Sequence, residues 1–551
     1  LIFLNIANPN LLMSHFQHQP QPSEHHSQLD SSVTPCDHPV IAVDFTPPKK
    51  SNFGQILALV GAVVLLIDLL LFANGASGTL ILLSSIALVI LALSFQYPRL
   101  ALWAFLIYLP FTGTIAYWIG NDHFLFHLAK DGFYIPALIG LIIELTRKKL
   151  PLIVPPQLKI PLLILFSIAL VTLFAVNGVQ QRHATIDNQP FLVGIFGLKV
   201  LMGYIPLITC AYYLIEDRKT LHFLTRLQVI LILISCSLGL IQFILVITGY
   251  CPDNSGLPEH LLLRANVQRK CFVGGSLGYF PSENFIRLPG TFVAPWHWTW
   301  FLVSSTFFSF ATAFSDPKFQ WRLTGLVGLS LVMLNAIVCG QRTALLAVPA
   351  LVVLLLVATS HISRWKRILV IIVGMVALIL ATSILAPEVI SERIDSFVGR
   401  WNADPPVAFL KKQTKLSLNA HRGFLGNGLG QATTAARGLG ETRLIEAYYP
   451  KLYYEIGPLG VAAFLFVVTT ITILGFKAYH QLMDYSLWGY GIIFWIFIAL
   501  ISYNPYWYPL DTDPVAVYYW FLIGVLFKLP KIQQQEQQKE QPEESLHPEK
   551  F

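Results

Sequence analysis

The chain has 551 residues, of which 55% are hydrophobic and only 12% charged, and its mean hydropathy is +0.61. Soluble domains carry about 25% charged residues, so a string of water-soluble domains is excluded as the main architecture. The net charge of +7 is too weak an excess to argue for a nucleic-acid partner. Apolar runs of about 17–25 residues, matched to a bilayer core, recur along most of the chain. They predict an all-α polytopic integral membrane protein.

The first residue is Leu1 and the first methionine is Met13, a candidate start. No basic flank or early apolar run marks a signal peptide, and the first long apolar run begins near Ile56. Residues 1–52 read as a disordered tail. Their His15, His18, His25, His26 and His38 are too irregularly spaced to argue for a metal site. About fourteen spans follow, roughly at 55–73, 79–95, 100–119, 124–145, 160–176, 191–215, 225–248, 291–313, 321–339, 343–359, 367–385, 452–475, 487–503 and 515–528. The expected organisation is a bundle over 53–248, a long loop over 249–290, helices over 291–385, a second long loop over 386–451 and final helices over 452–530. The Gln/Glu-rich stretch 531–551 is expected to be a disordered tail.

Lys49, Lys50, Arg99, Arg147 to Lys149, Arg218, Lys219, Lys318, Arg322, Arg364 to Arg367, Lys477, Lys528 and Lys531 all fall on one side of this arrangement. The opposite short loops, 74–78, 120–123 and 504–513, hold no Lys or Arg. The positive-inside rule therefore puts both termini in the cytoplasm and both long loops outside. Within the spans lie Asp68, Lys130, Asp131 and Lys199. Lys130 and Asp131 are expected to neutralise each other or to mark a helix break. Asp68 and Lys199 are candidates either for function or for buried structural charge. No clear internal repeat is present, which disfavours the repeat-built transporters.

Cys251 and Cys271 share the first long outer loop, in a compartment able to oxidise them, and are expected to form a disulfide. Arg287 and Arg342 each precede or open a span at its outer end. A guanidinium beside a helix N-terminus makes a phosphate clamp; the alternative is an arginine snorkelling to the headgroups. The second long loop crowds Lys411, Lys412, Lys415, Arg422, Arg437 and Arg443 against one acid, Glu441. An anionic ligand or anionic lipid headgroups would each account for that cluster. In His421-Arg-Gly-Phe-Leu-Gly-Asn-Gly-Leu-Gly430 the glycines would let backbone N–H groups approach an anion, or form a plain loop. Further on, Glu446, Tyr449 and Tyr453 would share a face if helical. Glu446 beside a basic pocket is a candidate general base, while boundary tyrosines commonly form an interface belt.

These pieces, in this order, resemble the bacterial O-antigen ligase and O-antigen polymerase superfamily. The resemblance rests on Arg287-Leu-Pro-Gly-Thr-Phe, Gly340-Gln-Arg342-Thr-Ala, the His421–Gly430 stretch and Tyr454-Glu455-Ile-Gly-Pro-Leu-Gly460, and covers about residues 285–475. It implies metal-independent and cofactor-free glycosyl transfer on the outer face of a bacterial cytoplasmic membrane. The donor would be a polyprenyl-diphosphate-linked glycan and the acceptor a glycan or lipid-linked sugar, with other polysaccharide-assembly membrane proteins as possible neighbours. In that frame Arg287, Arg342 and Arg422 hold the diphosphate, Lys411, Lys412 and Lys415 steer the anion, and Glu446 or His421 accepts the acceptor's proton. Ligases carry a His-Asn pair where this chain has Glu446-Ala447, which points to a polymerase-like or divergent member. No carboxylate lies in the first outer loop, Asn74 to Gly78, so a metal is not implied. A different class remains open, a transporter for a small anion such as bicarbonate or for a glycan, which would depend on Asp68 and Lys199.

Overall fold

The computed structural model describes residues 53–73, 78–184, 188–254, 266–280, 285–359, 405–420, 422–433 and 439–540, with a few isolated positions besides. The terminal stretches 1–52 and 541–551, the expected span at 367–385, His421 and Arg437 lie outside the described residues. The chain divides into two compact units, Leu1–Ser85 and Ile86–Phe551. The first unit holds α1 (Phe53–Ala73) and the start of α2 (Gly78–Gln96). Its one intramembrane acid, Asp68, accepts hydrogen bonds from the Ser85 hydroxyl at 2.9 and 2.7 Å.

The second unit is a helical bundle. Among the described residues seven helical segments are long and apolar enough to cross a membrane. They are Pro156–Arg182, Pro190–Leu214, Arg218–Ile247, Phe319–Val338, Tyr448–His480, Tyr485–Tyr503 and Val515–Lys539. Shorter apolar helices include Pro98–Phe111 and Arg342–Ala358. For the account below, α3 is Ala129–Arg147, α4 Pro190–Met202, α5 Arg218–Ile247, α6 Pro295–Ser315, α7 Phe319–Val338 and α8 Arg342–Ala358. They are followed by α9, Pro406–Asn419, α10, Tyr448–His480, α11, Tyr485–Tyr503, and α12, Val515–Glu540.

The helix α6 runs through the middle and is buried on every side, although it carries seven Ser or Thr residues. Thr299, Ser304, Thr306 and Thr312 donate to the carbonyls of Pro295, Trp300, Leu302 and Phe308, one turn back. That bonding satisfies a hydroxyl in an apolar interior without a partner helix. Packing of Phe307 and Phe308 against Phe497 and Phe494 of α11 fills the space around it.

Four features differ from the sequence reading. The span expected at 191–215 breaks between Met202 and Leu207, where Gly203 and Pro206 interrupt the helix. The chain is not strictly all-α, for in the first long loop β1 (Gly278–Phe280) pairs antiparallel with β2 (Phe285–Arg287). Of the two expectations for Lys130 and Asp131 the helix break holds, since one short helix ends at His127 and α3 starts at Ala129, but the two do not neutralise each other. Lys130 pairs with Asp513 and Asp131 with Lys199, because consecutive residues on a helix point about 100° apart and reach different neighbours. Finally, the described part of the expected C-terminal tail is helical to Glu540. Gln533 accepts the backbone N–H groups of Met483 and Asp484 at 2.8 and 3.1 Å, and Glu536 takes the Arg218 guanidinium at 2.6 Å.

Candidate functional site

Several segments that carried chemistry in the sequence are joined by backbone contacts in the second unit. Arg287 is the last residue of β2, and the next N–H, that of Leu288, donates to the Cys339 carbonyl at 3.0 Å. Cys339 and Gly340 form the turn into α8, whose first residue is Arg342; Gly340 takes the left-handed φ of 72° that this turn requires. Two arginines distant in sequence therefore sit on adjoining backbone, both half-buried; Arg342 opens α8 as expected, but Arg287 ends a strand, eight residues before α6 begins at Pro295.

The Arg287 strand is held from below by Gln242, a fully buried residue of α5. Its amide nitrogen donates to the Cys271 carbonyl at 2.8 Å, and its oxygen accepts the Gly290 N–H at 3.0 Å. Cys251 and Cys271 are disulfide-bonded, closing the chain that leads into the hairpin. Arg269, two residues upstream of Cys271, is buried and donates to the Leu277 carbonyl at 2.7 Å. Burial pushes its pKa below the usual arginine value, opposed by the Tyr117 hydroxyl. It is a staple of this loop that sequence reasoning passed over.

The glycine stretch does something other than expected. The N–H groups of Asn427 and Gly428 donate to the carbonyls of Tyr454 and Glu455 at 2.8 and 3.0 Å. Leu429 N–H goes to the Asn177 side-chain oxygen at 2.9 Å and Ala432 N–H to the Glu455 carboxylate at 2.8 Å. These donors are spent on the bundle and do not face an anion. The glycines are needed because backbone meets backbone. A Cβ on Gly457 would lie 2.2 Å from the Phe424 carbonyl oxygen, and one on Gly426 would lie 2.7 Å from Glu455. Gly457 also breaks α10, with φ 66°, just before Pro458.

Behind that break lies a charged cluster. Lys451 pairs with Asp511 and stands 4.0 Å from Glu455, while Glu455 also accepts the Thr433 hydroxyl at 3.0 Å. The side chains of Lys451 and Glu455 are 3% and 4% exposed. The loop over 504–513 supplies both Asp511 to Lys451 and Asp513 to Lys130, which ties α10 and α3 to one short segment. The i, i+4 spacing of Lys451 and Glu455 and the Asp511-Thr-Asp513 pair were the available sequence signals, and a buried partner for each is what the sequence alone does not show.

Glu446 lies one residue before the N-cap of α10, so it is not on a helical face with Tyr449 and Tyr453. The N-cap residue Ala447 is extended and bridges Tyr506. This extended pairing competes with the helical conformation at 446–447. Glu446 N–H donates to Gln413 of α9 at 3.1 Å, and the Tyr449 hydroxyl is bonded to the Ser502 carbonyl. Trp300 of α6 meets Trp507 at 6.4 Å between ring centres, so the 504–513 loop touches both the Glu446 side and the helix that follows Arg287.

Arg422 is exposed at the tip of the glycine stretch. Lys411, Lys412 and Lys415 are exposed on the outward face of α9, opposite the face that carries Gln413 and Ser417. No described contact brings these three lysines to Arg287 or Arg342. Among the described residues, no group of three or more His, Cys, Asp or Glu side chains is placed to hold a metal ion. Lys199, an expected transporter charge, is spent on Asp131.

The fold and these membrane-length helices define a multi-pass helical membrane protein. Neither a scan against protein-family models nor a comparison with curated proteins finds a match for the chain.

Proposed function

We propose that this protein transfers a glycosyl unit from a polyprenyl-diphosphate-linked glycan to a sugar hydroxyl at the outer face of a bacterial cytoplasmic membrane, extending or attaching a surface polysaccharide. The observation that carries the reading is the backbone bond from Leu288 to Cys339, which holds two arginine-bearing segments side by side. An arginine at the start of α8 and a second on the adjoining strand would suit a diphosphate, whose negative charge grows as it leaves.

In the proposed step the bond between the anomeric carbon and the diphosphate oxygen breaks. A bond from the acceptor oxygen to that carbon forms, and the acceptor's proton passes to Glu446. The electron pair leaves on the diphosphate, neutralised by Arg287 and Arg342, with Arg422 at the loop tip as a further cation. What supports a shared site is the 504–513 loop, which pairs with Ala447 beside Glu446 and meets Trp300 on the helix that follows Arg287. A polymerase-like role fits the glutamate that stands where ligases carry histidine.

The test is polysaccharide chain growth in cells carrying Arg287→Ala or Arg342→Ala. Each is expected to abolish long glycan at an unchanged protein level, with lipid-linked repeat units accumulating. Lysine replacements should restore only part of the activity, because an ammonium cannot make the bidentate contact. Full activity in both alanine variants refutes the diphosphate clamp. Polymer that accumulates while still lipid-linked would instead assign ligation.

A further inference from the structure

The amphipathic helix α9 has two faces with different jobs. Its inward face is fastened to the head of α10: Gln413 accepts Glu446 N–H at 3.1 Å, the Ser417 hydroxyl donates to the Pro450 carbonyl at 2.6 Å, and Phe409 meets Tyr506 at 5.3 Å. α9 is thus fastened at the N-terminal end of a helix of membrane-crossing length.

The outward face is unlike the inward one. Val407 and Leu418 are 65% and 52% exposed, and between them Lys411, Lys412 and Lys415 are exposed as well. No acid lies anywhere on α9. An open groove of about 390 Å³ runs along this face, lined by Val407, Leu410, Lys411, Thr414, Lys415 and Leu418. Those positions recur at intervals of three and four residues, so they form one stripe. The chain then continues to Arg422 and to Phe424, which is 75% exposed.

We infer that α9 is an interfacial helix that docks on anionic phospholipid, with its aliphatic stripe against the acyl boundary and its lysines on headgroup phosphates. Three features favour a lipid surface over a single bound anion. Lysine is a flexible point charge without the fixed fork that a defined phosphate site exploits. The stripe from Val407 to Leu418 covers twelve residues, on the order of 16 Å of helix from first to last, longer than one diphosphate. Exposed aliphatic side chains among the lysines are what an in-plane helix needs and what a soluble anion does not use. This assignment removes the three lysines from anion steering and does not depend on the glycosyl-transfer reading.

The test uses full-length protein carrying Leu418→Cys in a Cys36→Ser background, labelled with an environment-sensitive fluorophore. It is reconstituted in nanodiscs of phosphatidylcholine alone or with one third phosphatidylglycerol. Lipid-borne quenchers are expected to reach the label in the phosphatidylglycerol discs, and much less in phosphatidylcholine. Changing Lys411, Lys412 and Lys415 together to Gln should lower the apparent preference for phosphatidylglycerol at least tenfold, given about fivefold per lysine near an anionic surface. The corresponding arginine triple should keep it. These residues are exposed, so thermal stability in detergent should be unchanged and a folding defect is separable. Equal quenching in both lipids, or none in either, overturns the inference. Quenching that appears only on adding undecaprenyl diphosphate would assign the face to the carrier lipid and equally overturn it.

Discussion

Replacing Lys451 by methionine should be among the most damaging single changes in the bundle. Methionine keeps the length and apolar stem of lysine, so little packing is lost, and the effect isolates charge. The variant leaves Asp511 without its cation and Glu455 without a neighbour of opposite sign, in a site where Lys451 and Glu455 are 3% and 4% exposed. Breaking a buried pair on one side costs about 3–5 kcal/mol, because the stranded charge has lost both water and partner. With an unfolding entropy of about 2.1 cal/mol/K per residue, a loss of about 4 kcal/mol in a chain of this size lowers the midpoint by on the order of 4 °C. Intrinsic tryptophan fluorescence on heating the detergent-solubilised protein measures it. The paired variant Lys451→Met with Asp511→Asn removes both charges of the pair and should recover more than half of the loss. Glu455→Gln should be mild, since its amide oxygen still accepts from Ala432 N–H and the Thr433 hydroxyl, whereas Glu455→Ala forfeits both bonds. A Lys451→Met protein that melts with the parent, or a double variant as unstable as the two single changes summed, refutes the charge argument.

Other consequences are open to measurement. Glu446→Gln should reduce glycan chain growth by two or more orders of magnitude while leaving the melting midpoint unchanged, since general-base groups typically contribute 10²–10⁴-fold; an undiminished rate removes Glu446 from the mechanism. Asn177 is fully buried and bonds Pro190 O, Leu429 O and Leu429 N–H. Asn177→Ala should therefore cost roughly 3 kcal/mol, at about 1–3 kcal/mol per orphaned buried group, and expose the 422–433 stretch to limited proteolysis. Asp484 caps α11. Burial raises its pKa, but the Leu487 N–H and the Arg218 guanidinium outweigh burial and leave it below the usual carboxylate value. A depressed carboxylate stabilises the fold above its unfolded pKa, so this contribution is complete above about pH 4 and is lost as pH falls through the lower folded value. Hydrogen exchange near Gln533 should accelerate in that acid window, and Asp484→Asn should exchange fast at neutral pH too.

The membrane character was legible in the sequence because it depends on composition summed over twenty residues, which no single contact alters. The helix start at Arg342 was legible too, for it follows from a Gly-x-Arg turn, whereas the span expected from residue 291 begins only at Pro295. What escaped were the pairings. Lys130 and Asp131 are neighbours in sequence, yet each chooses a partner on another element, and nothing local decides that choice. The position of Glu446 was missed for a related reason. Alanine and tyrosine at 447 and 448 suit a helix, but the pairing of Ala447 with Tyr506 holds the chain extended until the next residue.

The glycine stretch shows most clearly how one pattern supports two physics. Glycines at 423, 426, 428 and 430 all adopt positive φ, which a nest around an anion and a tight seat on a broken helix both require. The donors decide between them. An anion nest needs free N–H groups pointing at one centre, and here those of Asn427, Gly428, Leu429 and Ala432 end on four different acceptors of the bundle. The stretch therefore fixes the break at Gly457, and with it the direction in which the first turns of α10 leave the core. Since Ala447 pairs with the 504–513 loop and Lys451 with Asp511 in that same loop, the glycine seat, the charge pair and the extended entry of α10 constrain a single object. That object is the short segment bearing Glu446. A change at Gly426 or Gly457 should thus displace Glu446 without touching it, and the expected signature is glycan chain growth lost together with thermal stability, in contrast to the activity-only loss of Glu446→Gln.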